Sequence, residues 1–165
     1  MTLVLPDPEA LCADLVRQLQ PRVTADTALV GIHTGGVWLA ERLHAALGIA
    51  LPLGLLDISF YRDDFDKTGL HPQIKPSQIP FEVGGRHIVL VDDVLYTGRT
   101  VRGAMNELFD YGRPASISLA VLIDRGGREL PVCAQYVGAK LEIPPGRMLV
   151  LDRDENGNLR LKFDA

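Results

Sequence analysis

This sequence lacks both long apolar runs and a positive charge balance. No apolar stretch approaches the roughly 20 residues of a transmembrane helix, and residues 1–8 lack the basic and apolar segments of a signal peptide. We therefore expect no membrane association and a cytoplasmic location. Lys and Arg number 17 against 21 Asp and Glu, so the formal net charge is −4. Dedicated nucleic-acid-binding domains are usually basic, so the overall charge does not favour a nucleic-acid partner.

Cysteine is scarce as well. Cys12 and Cys133 are isolated from each other and have no metal-ligand spacing. This excludes a disulfide framework and a zinc site, and we expect two reduced thiols. No internal repeat is evident. The 165 residues, 47% of them apolar and 23% charged, are typical of one globular domain with a substantial core.

Residues 88–100 are the most informative segment. Residues 88–91 form a short apolar run rich in β-branched side chains, which is typical of a strand buried on both faces of a parallel sheet. Two acids follow, Asp92 and Asp93, and a helical pattern of apolar residues begins after residue 100. Between the acids and the helix lies a loop of hydroxyl, glycine and arginine residues: Thr97, Gly98, Arg99 and Thr100.

This order of strand, acids, loop and helix favours a sugar phosphate as ligand. A loop that enters a helix presents free backbone N–H groups and the positive end of the helix dipole, which suit a phosphate. Gly98 allows close approach of the backbone, and Arg99 adds positive charge. The carboxylates of Asp92 and Asp93 accept hydrogen bonds from a vicinal diol. In open α/β sheets such ligands bind beyond the carboxyl ends of the strands, so we predict a ribose 5-phosphate site.

Three other interpretations compete for this segment. Two acids after a strand are often only a solvated loop or a helix N-cap. A Walker A loop requires a lysine and an upstream glycine, and Gly98-Arg99-Thr100 has neither. A phosphatase of the Asp-x-Asp type is excluded because Asp92 and Asp93 are adjacent. The strand–loop–helix context favours the sugar-phosphate hypothesis over all three.

Residues 91–102, which read V-D-D-V-L-Y-T-G-R-T-V-R, resemble the phosphoribosyl pyrophosphate (PRPP) motif of type I phosphoribosyltransferases. More narrowly, they resemble the PyrR family of pyrimidine operon regulators, which are also uracil phosphoribosyltransferases. Residues 57–64 and 119–131 support the narrower resemblance, which spans about 29–138. It implies an α/β fold with a doubly wound, mostly parallel sheet flanked by helices, a small hood and a flexible loop, all in one domain of residues 1–165.

A second strand–loop–helix unit precedes this motif. Residues 28–32 predict a buried strand, and the helix after the loop should end at Gly48. By resemblance, Thr34, Gly35 and Gly36 form the pyrophosphate-binding loop. Family members usually carry arginine where Gly35 stands, so pyrophosphate binding should be weaker here unless another residue compensates. A plain turn between a strand and a helix is the alternative interpretation.

A long irregular segment, residues 61–85, follows a predicted strand at residues 53–60. It contains three prolines and many charges, and it resembles the family's flexible loop, which closes over PRPP and excludes water. The resemblance makes Arg62 a candidate catalytic residue that contacts pyrophosphate, with Lys67 as a weaker candidate. A merely solvated loop is the alternative.

A further strand is predicted at residues 116–124, and the loop after it should cover the nucleobase. We therefore expect Tyr96, Ile123 and Asp124 near the base, where backbone groups of the last two could recognise the edge of uracil. Purine enzymes of the superfamily usually have an acid at the position of Tyr96. A tyrosine is a poor base at neutral pH, so the sequence predicts a preference for uracil over purines.

Two peripheral elements complete the prediction. Asp7 and Pro8 are suited to start a first helix, which Pro21 should end. Near the end of the chain, Asn156-Gly157 separates two alternating segments and predicts a β-hairpin at about residues 148–163.

The reaction implied by the resemblance is uracil plus PRPP giving UMP plus pyrophosphate. Asp92, Asp93 and Arg62 are the predicted catalytic residues. Mg²⁺ is expected as a cofactor held through PRPP and pyrophosphate, without direct protein ligands. The resemblance also implies a homodimer or a higher homo-oligomer.

The alternative function is a uridine-nucleotide-responsive RNA-binding attenuator of pyrimidine biosynthesis genes, with weak or no catalysis. Arg125 and Arg128 are its candidate RNA contacts. However, Gly127, Cys133 and Ala139 stand where the family often has histidine, arginine and lysine. Because phosphate contacts dominate RNA affinity, these losses disfavour binding to leader RNA. The substitution in the pyrophosphate loop also leaves open a catalytically silent nucleotide sensor.

Overall fold

The computed structural model describes residues 3–58 and 77–164. Within these ranges, five parallel strands form a central sheet in the order β2-β1-β3-β4-β5. The strands are β1 Thr27–Ile32, β2 Gly54–Leu56, β3 His87–Leu95, β4 Ser116–Asp124 and β5 Tyr136–Lys140.

Helices lie on both faces of the sheet. They are α1 Pro8–Leu19, which continues into a short 3-10 turn at Gln20–Arg22, α2 Gly35–Leu47 and α3 Arg99–Phe109. Asp7 caps α1, since its carboxylate accepts a hydrogen bond of 3.1 Å from the Glu9 N–H. Gly48 ends α2 in the left-handed conformation, with φ of 62°, as its position after the last apolar residue predicted.

The alternation of side chains along the strands builds two cores. On one face Leu29, Val89 and Leu122 belong to a buried cluster with residues of α1 and α2. On the other face Leu90 and Val121 belong to a cluster with residues of α3. A sheet covered by helices on both faces is doubly wound, so the predicted fold class is confirmed.

The strand order has a switch point between β1 and β3. These strands are neighbours, with Leu29 aligned to Val89, yet the chain continues from β1 to one edge of the sheet and from β3 to the other. The loops that follow β1 and β3 therefore diverge and leave a crevice at the carboxyl ends of these two strands, which is where ligands bind in such folds.

Three elements differ from the sequence-based expectation. β3 does not end before the acids but continues to Leu95, and Asp92 is aligned with Val121 of β4. β2 covers only Gly54–Leu56, whereas a longer strand was expected. β5 was not predicted, because it is a short edge strand of partly buried residues without a clear apolar pattern.

A C-terminal hairpin lies outside the main sheet. β6 Met148–Arg153 pairs antiparallel with β7 Leu159–Asp164, and Asn156-Gly157 lies in the turn between them. Leu149, Leu151 and Leu159 are buried in the same cluster as residues of α1 and α2.

Of the predicted loop at residues 61–85, only residues 77–85 are described, and there Gln78 forms a single antiparallel bridge with Leu55. Arg62 and Lys67 lie outside the described residues. In the described parts of the chain, no helix combines the length and apolar character needed to cross a membrane.

Candidate active site

Asp92 and Asp93 lie in the last part of β3, at the switch point of the sheet. Asp92 is 7% exposed, and Asp93 is partly exposed. One carboxylate oxygen of Asp92 accepts a hydrogen bond of 2.8 Å from the Asp93 N–H, and one of Asp93 accepts from the Val94 N–H at 2.8 Å. These bonds to the neighbouring backbone fix the orientation of both carboxylates.

The beginning of α2 is packed directly against these carboxylates. A Cβ atom at Gly35 would collide with Oδ2 of Asp93 and lie 2.8 Å from its Cγ. A Cβ atom at Gly36 would lie 3.0 Å from Cα of Asp92. Thr34 is the N-cap residue of the helix, and the peptide bond between His33 and Thr34 is cis. The first N–H groups of α2 therefore lie beside the two acids, where they could bind an anion.

The loop of residues 97–100 leads into the start of α3 and could bind a second anion. Gly98 has φ of 96°, a conformation that favours glycine, and a Cβ atom there would also collide with Val132. The Arg99 N–H donates to Oγ1 of Thr97 at 3.2 Å, and the first bond within the helix runs from the Arg102 N–H to the Gly98 carbonyl at 3.0 Å. The N–H groups in between have no carbonyl partner within the helix and are available to a phosphate.

The side chain of Arg99 does not extend over this loop. Its Nε donates to a carboxylate oxygen of Glu129 at 2.9 Å, in an ion pair whose two side chains are about half exposed. The carbonyl of Thr97 accepts hydrogen bonds from the N–H groups of Glu129 and Leu130, at 2.9 and 3.1 Å. The segment after β4 is thus attached to the loop that would hold the 5-phosphate.

Tyr96 is held by an arginine that comes from that same segment. The guanidinium of Arg125 lies 4.0 Å from the centroid of the Tyr96 ring. Arg125 is only 8% exposed, and one of its terminal N–H groups donates to the carbonyl of Arg147 at 2.9 Å. Its Nε is buried and forms no hydrogen bond with any residue that the structure describes. Arg125 therefore links Tyr96 to the start of the C-terminal hairpin.

Arg128 forms a second set of contacts around the same residues. It donates to the carbonyl of Tyr96 at 2.8 Å, to the carbonyl of Val132 at 3.0 Å and to a carboxylate oxygen of Asp124 at 2.6 Å. Burial alone would raise the pKa of Asp124. The hydrogen bonds from Arg128 and from the Gly126 N–H outweigh burial and hold the pKa of this carboxyl below its ordinary value. Asp124 is thus an ionised partner of Arg128.

An open cleft of about 500 Å³ lies beyond the carboxyl ends of β4 and β5. Asp124 and the segment from Arg125 to Arg128 form one wall, and Lys140 and Glu142 contribute to the other. The cleft is large enough for a nucleobase.

The structure brings most predicted site residues to one edge of the sheet. Asp93 contacts the loop of Thr34 to Gly36, while the segment after β4 contacts both Thr97 and Tyr96. Ile123, however, is fully buried within β4, so its side chain does not reach the cleft.

The two arginines predicted to contact RNA are placed differently from that expectation. Arg125 is buried against Tyr96, and the side chain of Arg128 is 25% exposed and paired with Asp124. RNA contact by these side chains stays a prediction, and this placement does not favour it.

Sequence reasoning missed several residues that shape the site. Lys140 lies in the unpredicted strand β5, and Glu142 lies in the segment after it. The Leu130 N–H donates to the Thr97 carbonyl. One signal was present: two adjacent glycines between Arg125 and Arg128 allow the chain to fold back, and a Cβ atom at Gly127 would collide with the Tyr96 ring.

Comparison with known proteins identifies the family. Residues 6–144 match the family described as phosphoribosyl transferase domain. The chain is 54% identical over 149 residues to the Bifunctional protein PyrR of Nitrosococcus oceani, with 87% of this chain and 84% of that protein covered. It is 52% identical over 162 residues to the Bifunctional protein PyrR of Pseudomonas syringae pv. syringae, with 96% and 95% covered.

This chain belongs to the PyrR family of phosphoribosyltransferases. Solved structures of similar fold include a hypoxanthine phosphoribosyltransferase from Staphylococcus aureus, with a TM-score of 0.67, 25% identity and 91% and 82% of the two chains covered. A hypoxanthine-guanine phosphoribosyltransferase from Bacillus anthracis gives a TM-score of 0.68 at 18% identity, with 87% and 86% covered. In this PyrR family member, the hairpin β6–β7 lies outside the matched residues 6–144.

Proposed function

We propose that this PyrR family member transfers the phosphoribosyl group of PRPP to uracil and releases UMP and pyrophosphate. One observation carries the proposal: the starts of two helices, α2 and α3, flank the carboxylates of Asp92 and Asp93 at the switch point, and helix starts present N–H groups that suit phosphates. PRPP has the same arrangement of groups, because a diol-bearing ribose separates its pyrophosphate from its 5-phosphate.

The placement of PRPP follows from this arrangement. The 5-phosphate accepts hydrogen bonds from the loop of Thr97 to Thr100, and the ribose hydroxyls donate to Asp92 and Asp93. The pyrophosphate lies against the loop of Thr34 to Gly36. Arg62, which lies outside the described residues, is proposed to contact the pyrophosphate as it leaves.

The chemistry requires positioning and charge stabilisation. The bond between C1′ and the pyrophosphate oxygen breaks, the bond between C1′ and N1 of uracil forms, and the N1 proton is lost. The carboxylates of Asp92 and Asp93 stabilise the positive charge that develops on the ribose. Tyr96 is not a strong base, whereas purine enzymes usually have a carboxylate at this position. Loss of the N1 proton of uracil is therefore proposed not to require a carboxylate here.

Mg²⁺ is proposed as cofactor, held through PRPP. The described residues contain no group of three or more side chains of the metal-binding types. The two adjacent acids are proposed to bind the ribose hydroxyls beside the ion rather than to coordinate it, and Mg²⁺ would retain waters and bind mainly to phosphate oxygens. When bound, Mg²⁺ supplies charge neutralisation of the pyrophosphate.

The test is UMP formation from uracil and PRPP with Mg²⁺, with hypoxanthine as the competing base. We expect turnover of uracil, little turnover of hypoxanthine, and loss of activity in the double variant Asp92→Asn/Asp93→Asn. Asp110→Asn is the matched control, because Asp110 is exposed at the end of α3. Unchanged turnover in the double variant would contradict the proposed site.

A second proposed function is regulation of pyrimidine genes through RNA binding that responds to uridine nucleotides. Membership of the PyrR family supports it, since the closely similar relatives are described as bifunctional. The net charge of −4 and the internal pairing of Arg128 weigh against tight RNA binding. A gel shift with leader RNA across a salt series tests it, and tight binding at physiological salt would raise this function above catalysis.

Location and assembly complete the proposal. We propose a cytoplasmic protein that forms a homodimer or higher homo-oligomer. The two cysteines are unpaired, which fits a reducing compartment. Sedimentation equilibrium of the purified chain measures the oligomeric state.

A further inference from the structure

A second cavity, of about 310 Å³, opens at the amino ends of the strands. Its sheet wall consists of the early residues of four neighbouring strands, β1, β3, β4 and β5, among them Thr27, His87, Ser118 and Tyr136. The carboxylates of Asp92 and Asp93 lie near the opposite, carboxyl end of β3. The cavity is therefore separate from the proposed PRPP site.

The register of the strands places the residues of the sheet wall side by side. Thr27 is aligned with His87 and His87 with Ser116, while Val89 is aligned with Ser118 two residues further along. Because side chains alternate along a strand, these residues all point to the face covered by α1 and α2. Ser118 thus occupies a core-facing position beside the apolar residue Val89.

Two hydroxyls that line this cavity have no hydrogen-bond partner among the described residues. Thr27 Oγ1 accepts a hydrogen bond from the Thr24 N–H at 2.9 Å, and Nδ1 of His87 shares one of 2.8 Å with Oγ of Ser116. In contrast, the hydroxyls of Ser118 and Tyr136 form no hydrogen bond with any residue that the structure describes. They are free to bind a ligand.

Among the described residues, the cavity is lined by an arginine and by no carboxylate. Its ionisable lining residues are Arg22, His87 and Tyr136, and no described Asp or Glu lines the cavity. Within residues 3–58 and 77–164, no carboxylate forms an ion pair with Arg22. The nearby acid Asp26 is engaged by Arg86, at 2.7 Å. An arginine that has no ion pair among the described residues and lines a cavity favours an anion there, even in a chain of net charge −4.

We propose that this cavity binds a small organic anion, with an apolar ring against Leu19 and Leu47 and a carboxylate or phosphate group on Arg22. The hydroxyls of Ser118 and Tyr136 donate to the polar edge of the ligand. The volume lies at the lower end of the roughly 300–1,000 Å³ typical of small-molecule pockets, so the ligand has one ring rather than a whole nucleotide.

The test uses isotope-labelled full-length protein and amide chemical shifts. Benzoate and phenyl phosphate are the anionic probes, which distinguish a carboxylate from a phosphate, and benzamide is the neutral control. We expect saturable shifts at the amides of His87, Val89 and Ser118 with an anionic probe, and much weaker ones with benzamide. Shifts confined to residues 97–100 would overturn the proposal, because they would place the probe in the PRPP site.

Variants separate a built site from general surface binding. Arg22→Gln should weaken binding of the anionic probe roughly tenfold, since a charge-assisted pair is lost. Ser118→Leu should abolish binding by filling the cavity. Arg17→Gln, an exposed change on α1 outside the cavity, should have no effect. Equal binding by the wild type and Arg22→Gln would refute the proposal, whatever the outcome of the UMP assay.

Discussion

At the scale of single residues, Gly35 is constrained by Asp93. A Cβ atom at this position would collide with the Asp93 carboxylate. In a variant with such an atom, the carboxylate would have to move away from the first turn of α2. We therefore expect Gly35→Ala to lower kcat/KM for PRPP at least tenfold, equivalent to about 1.4 kcal/mol of transition-state stabilisation. Steady-state kinetics with varied PRPP measure this effect.

The control for Gly35 is Gly84→Ala. Gly84 has open space where a Cβ atom would lie and no positive φ, so the same change should leave kinetics unaltered. Because the displaced Asp93 carboxylate is partly exposed, the melting temperature of Gly35→Ala should change little. Wild-type kinetics in Gly35→Ala would show that the orientation of Asp93 is unimportant.

Arg125 is the second residue whose contacts predict an effect on function. Its guanidinium packs on Tyr96 and donates to the Arg147 carbonyl, so Arg125→Met should leave the Tyr96 ring free to move. A buried cation–π contact is worth about 2 kcal/mol. We expect KM for uracil to rise several-fold while kcat changes less, because Arg125 positions Tyr96 without contacting the reacting atoms.

Stability separates this role from a purely structural one. The Nε of Arg125 is buried without a hydrogen bond to any described residue, a cost that methionine does not have and that offsets part of the lost contacts. Arg125→Met should therefore lower the urea midpoint by less than the loss of the cation–π contact alone would. Arg113→Met, at an exposed position, is the control. An unchanged KM for uracil in Arg125→Met would contradict the positioning role.

At the scale of elements, one carboxylate joins α1, α2 and the C-terminal hairpin. Glu9 accepts two hydrogen bonds from Arg42, at 2.7 and 3.0 Å, and one of 2.9 Å from the Leu159 N–H. Arg42 also donates to the carbonyl of Gly157. These contacts connect residues that are 150 positions apart in the sequence.

We expect Glu9→Gln to lower the free energy of unfolding by about 1 kcal/mol, a value reduced for partial exposure of the pair. The hydrogen bonds from Arg42 and then from Leu159 lower the pKa of Glu9, against the effect of burial. Its stabilisation is therefore complete above the unfolded pKa of about 4.3 and is lost as the pH falls through the lower native value.

The measurement is urea denaturation of both proteins between pH 7 and pH 2.5. The difference between wild type and Glu9→Gln should be constant above about pH 5 and should shrink at lower pH. Glu41→Gln, which removes an exposed pair of 3.7 Å with Arg153, should show a smaller difference at every pH. A difference that grows on acidification would contradict the assigned sign.

The elements that the sequence predicted well are those with strong local signals. β4 has a continuous apolar run, α1 has the Asp7–Pro8 start, and the hairpin has Asn156-Gly157. β3 was predicted too short because acids usually end strands, and here pairing with the long strand β4 extends it. β5 has no local signal, since pairing with β4 alone makes it a strand.

The parts of the candidate site that the sequence predicted are those formed by residues close together in the chain. The acids and the loop of residues 97–100 are adjacent in the chain, so their proximity could be inferred. The contacts of Arg125 and Arg128 with Tyr96 join residues about 30 positions apart and depend on how the segment after β4 folds back. These arginines therefore looked like surface cations in the sequence.

At the scale of the whole molecule, the proposed PRPP site joins the loops after β1 and β3 and the segment after β4. A ligand that binds only the folded chain stabilises it by about 2.7 kcal/mol at a hundred times its Kd. For a domain of this size that corresponds to roughly 5–10 °C in Tm. We expect PRPP with Mg²⁺ to give such a shift, measured by calorimetry at several PRPP concentrations.

Two comparisons make this shift diagnostic of the arrangement. Ribose 5-phosphate lacks the pyrophosphate that would lie on α2, so it should stabilise the chain less than PRPP at equal concentration.

In the double variant Asp92→Asn/Asp93→Asn, the amide oxygens can still accept hydrogen bonds from the backbone N–H groups of residues 93 and 94. The Tm of this variant without ligand should therefore stay close to the wild-type value. Its shift with PRPP should be largely lost, because two ribose hydroxyls then lack charged acceptors. A full shift in that variant would mean that PRPP is held without the switch-point carboxylates.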